Sequence, residues 1–452
     1  MRRTTALWLL GAVLVAVGAR LAHGGGALGY DALWGLRWGD ELLHGGRPSL
    51  DADFAPTPHP LANLVSAVLL LAGVDAATTG LLALSWLSLG ALAMFVARLG
   101  TVLFSLPVGL LAGLLVVTRP LLVVESAQAL VDLPFLALVV AATDREARRP
   151  REGWTVPVLL VLAGLLRPEG WALAAAYLIH RRADARQLAP LLAVAPVLWA
   201  LMDLWATGDA LHSLNGTRAL GEVLDRPTST GTAITSAPAA LRDTMLEPLL
   251  FVALGGAAVG LLARTRSSAL PGAIIALGLA GFVVLGIAGL PLLGRYLLLP
   301  VCMLAIFAGL AVFGWVDAPD RRLLWRLGAG AAAAAMIAGM PSDRDALDEA
   351  RAFGAQRLAI QDELREAVRD TSSSGCKTVT APDRRSLAVV TAQREASGGR
   401  GRLAFAYAGP EVAGSYALLA FGRQTLPAGA RRVFTGRYWV ASAIGCYGAM
   451  RR

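Results

Sequence analysis

Charge is scarce in this chain. Asp, Glu, Lys and Arg make up only 16% of its 452 residues, against about 25% in a soluble globular domain, while hydrophobic residues reach 56%. That balance excludes an ordinary cytosolic enzyme. Cysteine is scarcer still, at three residues. None forms a CxxC pair or a Cys/His cluster with zinc spacing, so no zinc-binding motif is present. The sequence also lacks an internal repeat, and its basic, apolar start, MRRTTALWLLGAVLVAVGARLA, shows no small-residue site of the kind at which a signal peptide is cleaved.

What the sequence has instead is apolar blocks of about 17 to 24 residues, the length a helix needs to cross a hydrocarbon core, separated by short charged stretches. Lys and Arg collect in the cytoplasmic loops of membrane proteins. REARRPR (145–151), RRADAR (181–186), Arg264 to Arg266 and RRLLWR (321–326) therefore read as inside loops. Consecutive inside loops are separated by an even number of crossings, so VPVLLVLAGLLRPEGWALAAAYLIH crosses twice, as two short helices turning at Arg167-Pro168-Glu169. The same parity makes LANLVSAVLLLAGV (61–74) an interfacial or half-inserted helix.

Spans are expected near 5–22, 79–98, 102–119, 128–143, the two short helices, 187–206, 245–263, 269–289, 295–315 and 324–340. The fold class is thus an α-helical polytopic membrane protein of about eleven transmembrane helices, with the N-terminus cytoplasmic and the C-terminus outside. Residues 1–340 form the membrane domain, with outer segments at 23–78 and 207–244. Residues 341–452 form an extracytoplasmic domain: an amphipathic helix near 343–370, a linker TSSSG, then the short runs TVTAP, LAVVTA, YALLAF and YWVASAI of a small α/β unit.

The net charge of +9 concentrates in this tail, with twelve Lys and Arg against three acidic residues from Lys377 onward. Anionic headgroups or a solvated face account for it, with a polyanion as the rival reading; nucleic acid is not expected on this side of a membrane. Cys376 and Cys446 lie in the tail, where a disulfide is expected if it is extracytoplasmic. Cys302, in an apolar block, is a packing residue.

Ionisable side chains at membrane depth are costly and mark candidate functional sites. In the first outer segment they are Asp31, Asp40, Glu41, His44, Asp51, Asp53 and His59; near the outer ends of later spans they are Arg119, Glu125, Asp132, Arg167, Glu169, Arg218 and Arg295. Asp31 follows the first span in GYDALWGLRWGDELLHGG, where it either caps a helix or acts as a base within reach of lipid and aqueous substrates. Arg295 either snorkels at a helix end or meets an anion. His59, between two prolines, either stiffens a turn or joins Glu125 and Asp132 in holding a divalent metal. Asn215-Gly216-Thr217 matches a glycosylation sequon, a pattern short enough to occur incidentally.

The order of these features resembles the GT-C superfamily, membrane glycosyltransferases that use polyprenyl-phosphate sugars and include protein O-mannosyltransferases and lipid A aminoarabinose transferases. YDALWGLRWGDELLHGG followed by FAPTPHPLAN is similar to that family's Asp after the first span, interfacial helix and proline-rich approach to the next helix. ESAQALVDLPFLAL resembles its second acidic stretch, LLRPEGW its membrane hairpin, and GRYLLLP its late Arg-Tyr and Pro. The resemblance covers residues 1–340.

It implies a GT-C-like fold and inverting transfer of a sugar from a polyprenyl phosphate to an extracytoplasmic glycan, lipid or protein. Asp31 would be the base and Asp132 a second acidic residue. Asp40, in the Asp40-Glu41 pair, competes with Asp31 because the family often places an acidic pair directly after the first span. Substrate would be bound by Arg295, Tyr296, Arg167, Glu169, Arg218 and His59. No cofactor is implied with certainty; a divalent metal is the one candidate. The competing functions are a transporter or flippase of lipid-linked or amphipathic cargo, and a non-catalytic membrane component. A transporter of that kind is expected to show paired half repeats, which the sequence does not have.

Overall fold

A computed structural model describes residues 2–52, 54–317, 322–373, 378–381, 386, 389–390, 403–405, 416–421 and 431–444. In chain order the helices are α1 (Arg2–His23), α2 (Tyr30–Leu43), α3 (Pro60–Leu70), α4 (Val74–Leu103), α5 (Leu106–Val117), α6 (Pro120–Ala127), α7 (Asp132–Arg148), α8 (Thr155–Leu166) and α9 (Glu169–His180). They continue as α10 (Ala185–Leu192), α11 (Val194–Thr207), α12 (His212–Val223), α13 (Thr230–Met245), α14 (Leu249–Ala263), α15 (Thr265–Ile287), α16 (Leu298–Phe313) and α17 (Arg322–Ser373).

Among the described residues, five helical stretches are long and apolar enough to cross a membrane, or seven if each of two bent pairs, α5–α6 (56°) and α13–α14 (110°), is one span. A path of eleven crossings requires α7, α8, α9 and α17 to cross as well. Of these, α8 and α9 have 12 residues each, about 18 Å at 1.5 Å per residue, and so each reaches only part of the way through a hydrocarbon core of about 30 Å. They turn at Arg167-Pro168, where the sequence places the hairpin. The bend in α5–α6 falls at Thr118-Arg119, just before Pro120, a residue that cannot continue a helical hydrogen-bond ladder.

Burial separates core helices from lipid-facing ones. The stretch Gly294–Val316, which contains α16, is 83% buried, whereas α15 is 17% and the apolar part of α1 is 11% buried. Leu10, Leu14 and Leu21 of α1 are exposed, as side chains facing hydrocarbon must be. Around α16 pack α5, α14 and α15, and its residues Leu298 to Leu310 are all buried.

Two departures from expectation concern the tail. The span near 324–340 and the amphipathic helix near 343–370 form one helix, α17, of 52 residues that passes through Pro341. The Ala-rich run before the proline and the charged run after it favour helix strongly enough to absorb the lost N–H. Within the expected linker, Thr371 to Ser373 belong to α17, and the Thr371 hydroxyl donates to the Val368 carbonyl at 2.8 Å.

Beyond α17 lies a five-stranded sheet of β1 (Thr378–Ala381), β2 (Leu403–Phe405), β3 (Tyr416–Phe421), β4 (Arg431–Thr435) and β5 (Trp439–Ile444), in the order β2-β1-β3-β5-β4. The pairs β1–β2 and β1–β3 are parallel, while β3–β5 and β4–β5 are antiparallel. TVTAP, YALLAF and YWVASAI supply strands as expected. In LAVVTA the described residues Val389 and Val390 are helical and buried, packing in the apolar cluster formed by the sheet and α17. Cys376 and Cys446 lie outside the described residues.

The tail is tied to the first outer segment. Leu364, Ala367 and Val368 of α17 share one apolar cluster with Trp439 and Ala441 of the sheet and with Leu28, Trp34 and Trp38 around α2. The Gln361 amide donates to the Leu28 carbonyl at 2.9 Å, and α17 also packs on α6. Arg119 fastens α17 lower down. Its buried guanidinium donates to Asp343 (2.6 Å), to the Met245 carbonyl (2.5 Å) and to the Leu115 carbonyl (3.2 Å).

Candidate functional site

The segment before α2 runs hard against the turn after α6. The Gly29 N–H donates to the Gln128 carbonyl at 2.7 Å, and a Cβ at Gly26 would stand 1.9 Å from the Ala127 oxygen, so only glycine fits there. This contact holds the start of α2, which carries Asp31, against the turn that leads to Asp132, the first residue of α7. α2 forms because Leu33, Trp34, Leu36 and Trp38 bury one apolar face. Its N-cap is Gly29, with no side-chain cap. Asp31 is therefore not the capping residue; it stands in the first turn, where the helix dipole favours an acid.

Five charged side chains form a chain of alternating sign. Glu169 Oε1 meets Arg167 Nη2 at 2.6 Å, and Arg167 Nη1 donates to Asp132 Oδ1. Asp132 Oδ2 lies 3.9 Å from Arg295 Nη1, and both terminal nitrogens of Arg295 donate to Asp31 Oδ2 at 3.3 Å. Tyr296 lies under the two cations, its ring centroid 4.7 Å from the Arg167 guanidinium carbon and 5.9 Å from that of Arg295.

All six of these side chains line one cavity of about 660 Å³, together with His59. The rest of the wall is largely apolar, with Phe135, Trp171, Leu173, Phe282, Leu285 and Pro291 among its residues and Asp203 and Arg226 as its further charged ones. The cavity thus has an ionic pole and an apolar arm reaching toward α15, a helix that itself faces lipid.

His59, in the loop before α3 and outside the spans, packs edge-on to Trp199 with centroids 6.0 Å apart. Burial pushes its imidazole down to about 4, so it is neutral near pH 7. Glu125 is buried on α6 within hydrogen-bonding range of Asp132 and electrostatic range of Arg295 and Arg167; it does not line the cavity. Among the described residues no group of three or more His, Cys, Asp or Glu side chains is placed to hold a metal ion. Of the three candidate ligands, Asp132 already accepts from Arg167, and Glu125 does not line the cavity that His59 and Asp132 share. They do not fit a metal.

Asp40 and Arg218 stand apart from the cavity. Asp40 is paired with His44 on α2 at 3.4 Å, and the Arg218 Nε on α12 donates to the Ala288 carbonyl at 2.8 Å. The sequon residues lie inside α12, with the Thr217 hydroxyl donating to the Ser213 carbonyl at 2.6 Å and touching Thr57 Oγ1 at 2.5 Å.

One unit at the cavity wall was not anticipated. Asp203, 1% exposed in α11, accepts from the Ser213 N–H (2.8 Å) and hydroxyl (2.7 Å), and the Trp199 indole donates to the same hydroxyl at 2.9 Å. A carboxylate inside an apolar span is the signal that would have found it.

Among solved structures, the crystal structure of ArnT from Cupriavidus metallidurans bound to undecaprenyl phosphate matches this chain with a TM-score of 0.56 at 13% sequence identity. The match covers 97% of this chain and 97% of that one. No protein-family model and no curated protein matches the chain. The likeness is one of fold: this is a multi-pass membrane protein with a GT-C-like architecture.

Proposed function

We propose that the protein is a membrane glycosyltransferase that moves a sugar from a polyprenyl phosphate to an acceptor outside the cytoplasm, with inversion at the anomeric carbon. The observation that carries this reading is one cavity in which a carboxylate, Asp31, and a guanidinium, Arg295, stand together while most of the remaining wall is apolar. A polyprenyl-phosphate sugar has that same division: a polar head of sugar and phosphate on a long hydrocarbon. The bound lipid named for the ArnT structure supports the donor class. Sidedness follows from the basic loops, which put the N-terminus inside and the cavity and tail outside.

In this reading the acceptor hydroxyl oxygen attacks the anomeric carbon from the face opposite the phosphate. The new C–O bond forms as the bond from that carbon to the phosphate oxygen breaks. The bonding pair leaves on the phosphate, and the hydroxyl proton passes to Asp31. Arg295 meets the charge that grows on the phosphate, to which its planar fork can present two N–H groups. Arg167 is engaged by Asp132 and Glu169 and holds the acidic residue of α7 in place. The apolar arm takes the first isoprene units, and the acceptor approaches from the aqueous side.

The test is transfer of labelled sugar from polyprenyl-phosphate donors to extracted envelope material by purified protein, wild type beside Asp31→Asn and Asp40→Asn. Transfer lost in Asp31→Asn and retained in Asp40→Asn is the expected result. Loss in Asp40→Asn alone would move the base along α2, and no transfer from any donor would end the reading.

A further inference from the structure

Carboxylates outnumber guanidiniums at the ionic pole: Asp31, Asp132 and Glu169 face Arg167 and Arg295. An incoming phosphate therefore finds both cations of this pole already paired, and gains either of them by displacing a carboxylate. The two cations differ in how firmly they are held. Arg167 donates to Asp132 and, at 2.6 Å, to Glu169. Arg295 reaches Asp31 at 3.3 Å through both terminal nitrogens and Asp132 at 3.9 Å, and its buried Nε has no hydrogen-bond partner among the described residues. Charge-assisted bonds ordinarily lie at about 2.7–2.9 Å, so Arg295 is the loosely held member. The two carboxylates it faces also differ, since the Asp31 side chain is 17% exposed and that of Asp132 3%.

We propose that Arg295 keeps Asp31 idle until donor binds, and that the donor's phosphate takes the place of Asp31 on the guanidinium. This inference rests on the glycosyltransferase reading and adds to it an order of events. While Oδ2 of Asp31 faces Arg295, the oxygen that would accept the acceptor's proton is occupied. Once the guanidinium turns to the phosphate, that oxygen is released beside the anomeric carbon. Donor binding thus creates the base, and an acceptor arriving first meets a carboxylate already engaged. Asp132 does not move, because Arg167 holds it.

Equilibrium binding of sugar-free polyprenyl phosphate to the purified full-length protein in detergent separates the possibilities. With its competitor removed, Asp31→Asn should bind this lipid roughly two- to fivefold more tightly than wild type, the range expected for loss of one partly exposed ion pair. Asp51→Asn, which removes an exposed carboxylate of the same outer segment away from the cavity, should match wild type. Asp31→Ser should repeat the gain if Asp31→Asn unfolds early, and adding Arg295→Ala should abolish it. Binding by the Asp31 variants that equals or falls below that of wild type, at an unchanged unfolding temperature, overturns the exchange and leaves the transferase reading standing. No binding by wild type overturns both.

Discussion

The two guanidiniums of the ionic pole both sit over Tyr296 and are built for different tasks. Arg167, at the end of α8, has its charge consumed by Asp132 and Glu169. Arg295, in the turn before α16, has long contacts and an unused N–H. A buried cation whose partners are close and complete is part of the scaffold, because removing it strands charges that cannot reach water. A cation held loosely at a cavity wall is available to a ligand. The lesson is that residue type and depth nominate a functional charge, whereas the completeness of its partners decides whether it is free to act.

That contrast can be broken by exchanging the measurements made on each residue. The largest effect should be on transfer. Asp31→Asn is expected to lower the rate about 10²–10⁴-fold, the range for a lost general base, and Arg295→Ala about 10²–10³-fold, with unfolding temperatures near wild type. Arg167→Met should act chiefly on stability. Leaving Asp132 buried without its closest cation costs about 3–5 kcal/mol, read as a lowered unfolding temperature in detergent; if Arg167→Met unfolded like wild type, the scaffold role would be wrong. A smaller loss, about 1–3 kcal/mol, is expected for Asp343→Ala, which removes one partner of the buried Arg119 and loosens α17.

The effect that is smallest at neutral pH is a pH dependence at His59. Its imidazole titrates at about 4 in the fold against an ordinary 6.5 because it is buried. As pH falls below 6.5 the unfolded chain takes up this proton and the folded one does not, so the group costs stability progressively down to about pH 4 and nothing above 6.5. His59→Gln should flatten the fall in unfolding temperature across that window. An unchanged slope would show that His59 does not carry it.

Much of the ionic pole was legible because ionisable residues are few near the apolar blocks. Asp31, Asp132, Arg167, Glu169, Arg295, Tyr296 and His59 were all nominated, and the fold brings them to one cavity. The separation of Asp40 from Asp31 was also readable: nine residues of helix, at about 100° each, turn Asp40 to the opposite face of α2. Arg218 was not separable by such arithmetic, because its partner, the Ala288 carbonyl, lies 70 positions away. Asp203 was hidden inside a block treated as uniformly apolar, although its partner Ser213 is only ten residues on. In the tail, the last expected span and the amphipathic helix after it run together as one helix through Pro341, and LAVVTA alternates too little to distinguish a buried helix from a strand.

The unbroken course of α17 limits how this protein can vary. Between Asp343, gripped by Arg119, and Gln361, gripping Leu28, helix alone sets the spacing, with no loop to take up a change. One residue inserted there would advance everything beyond it by about 1.5 Å and rotate it by about 100°. That rotation would swing Gln361 off the Leu28 carbonyl and turn the sheet away from α2. Only insertions close to whole turns, such as seven residues, bring the face back into phase, and those lift it by about 10 Å. The tail's attachment is therefore indexed like a gear, and its length can change in steps but not continuously.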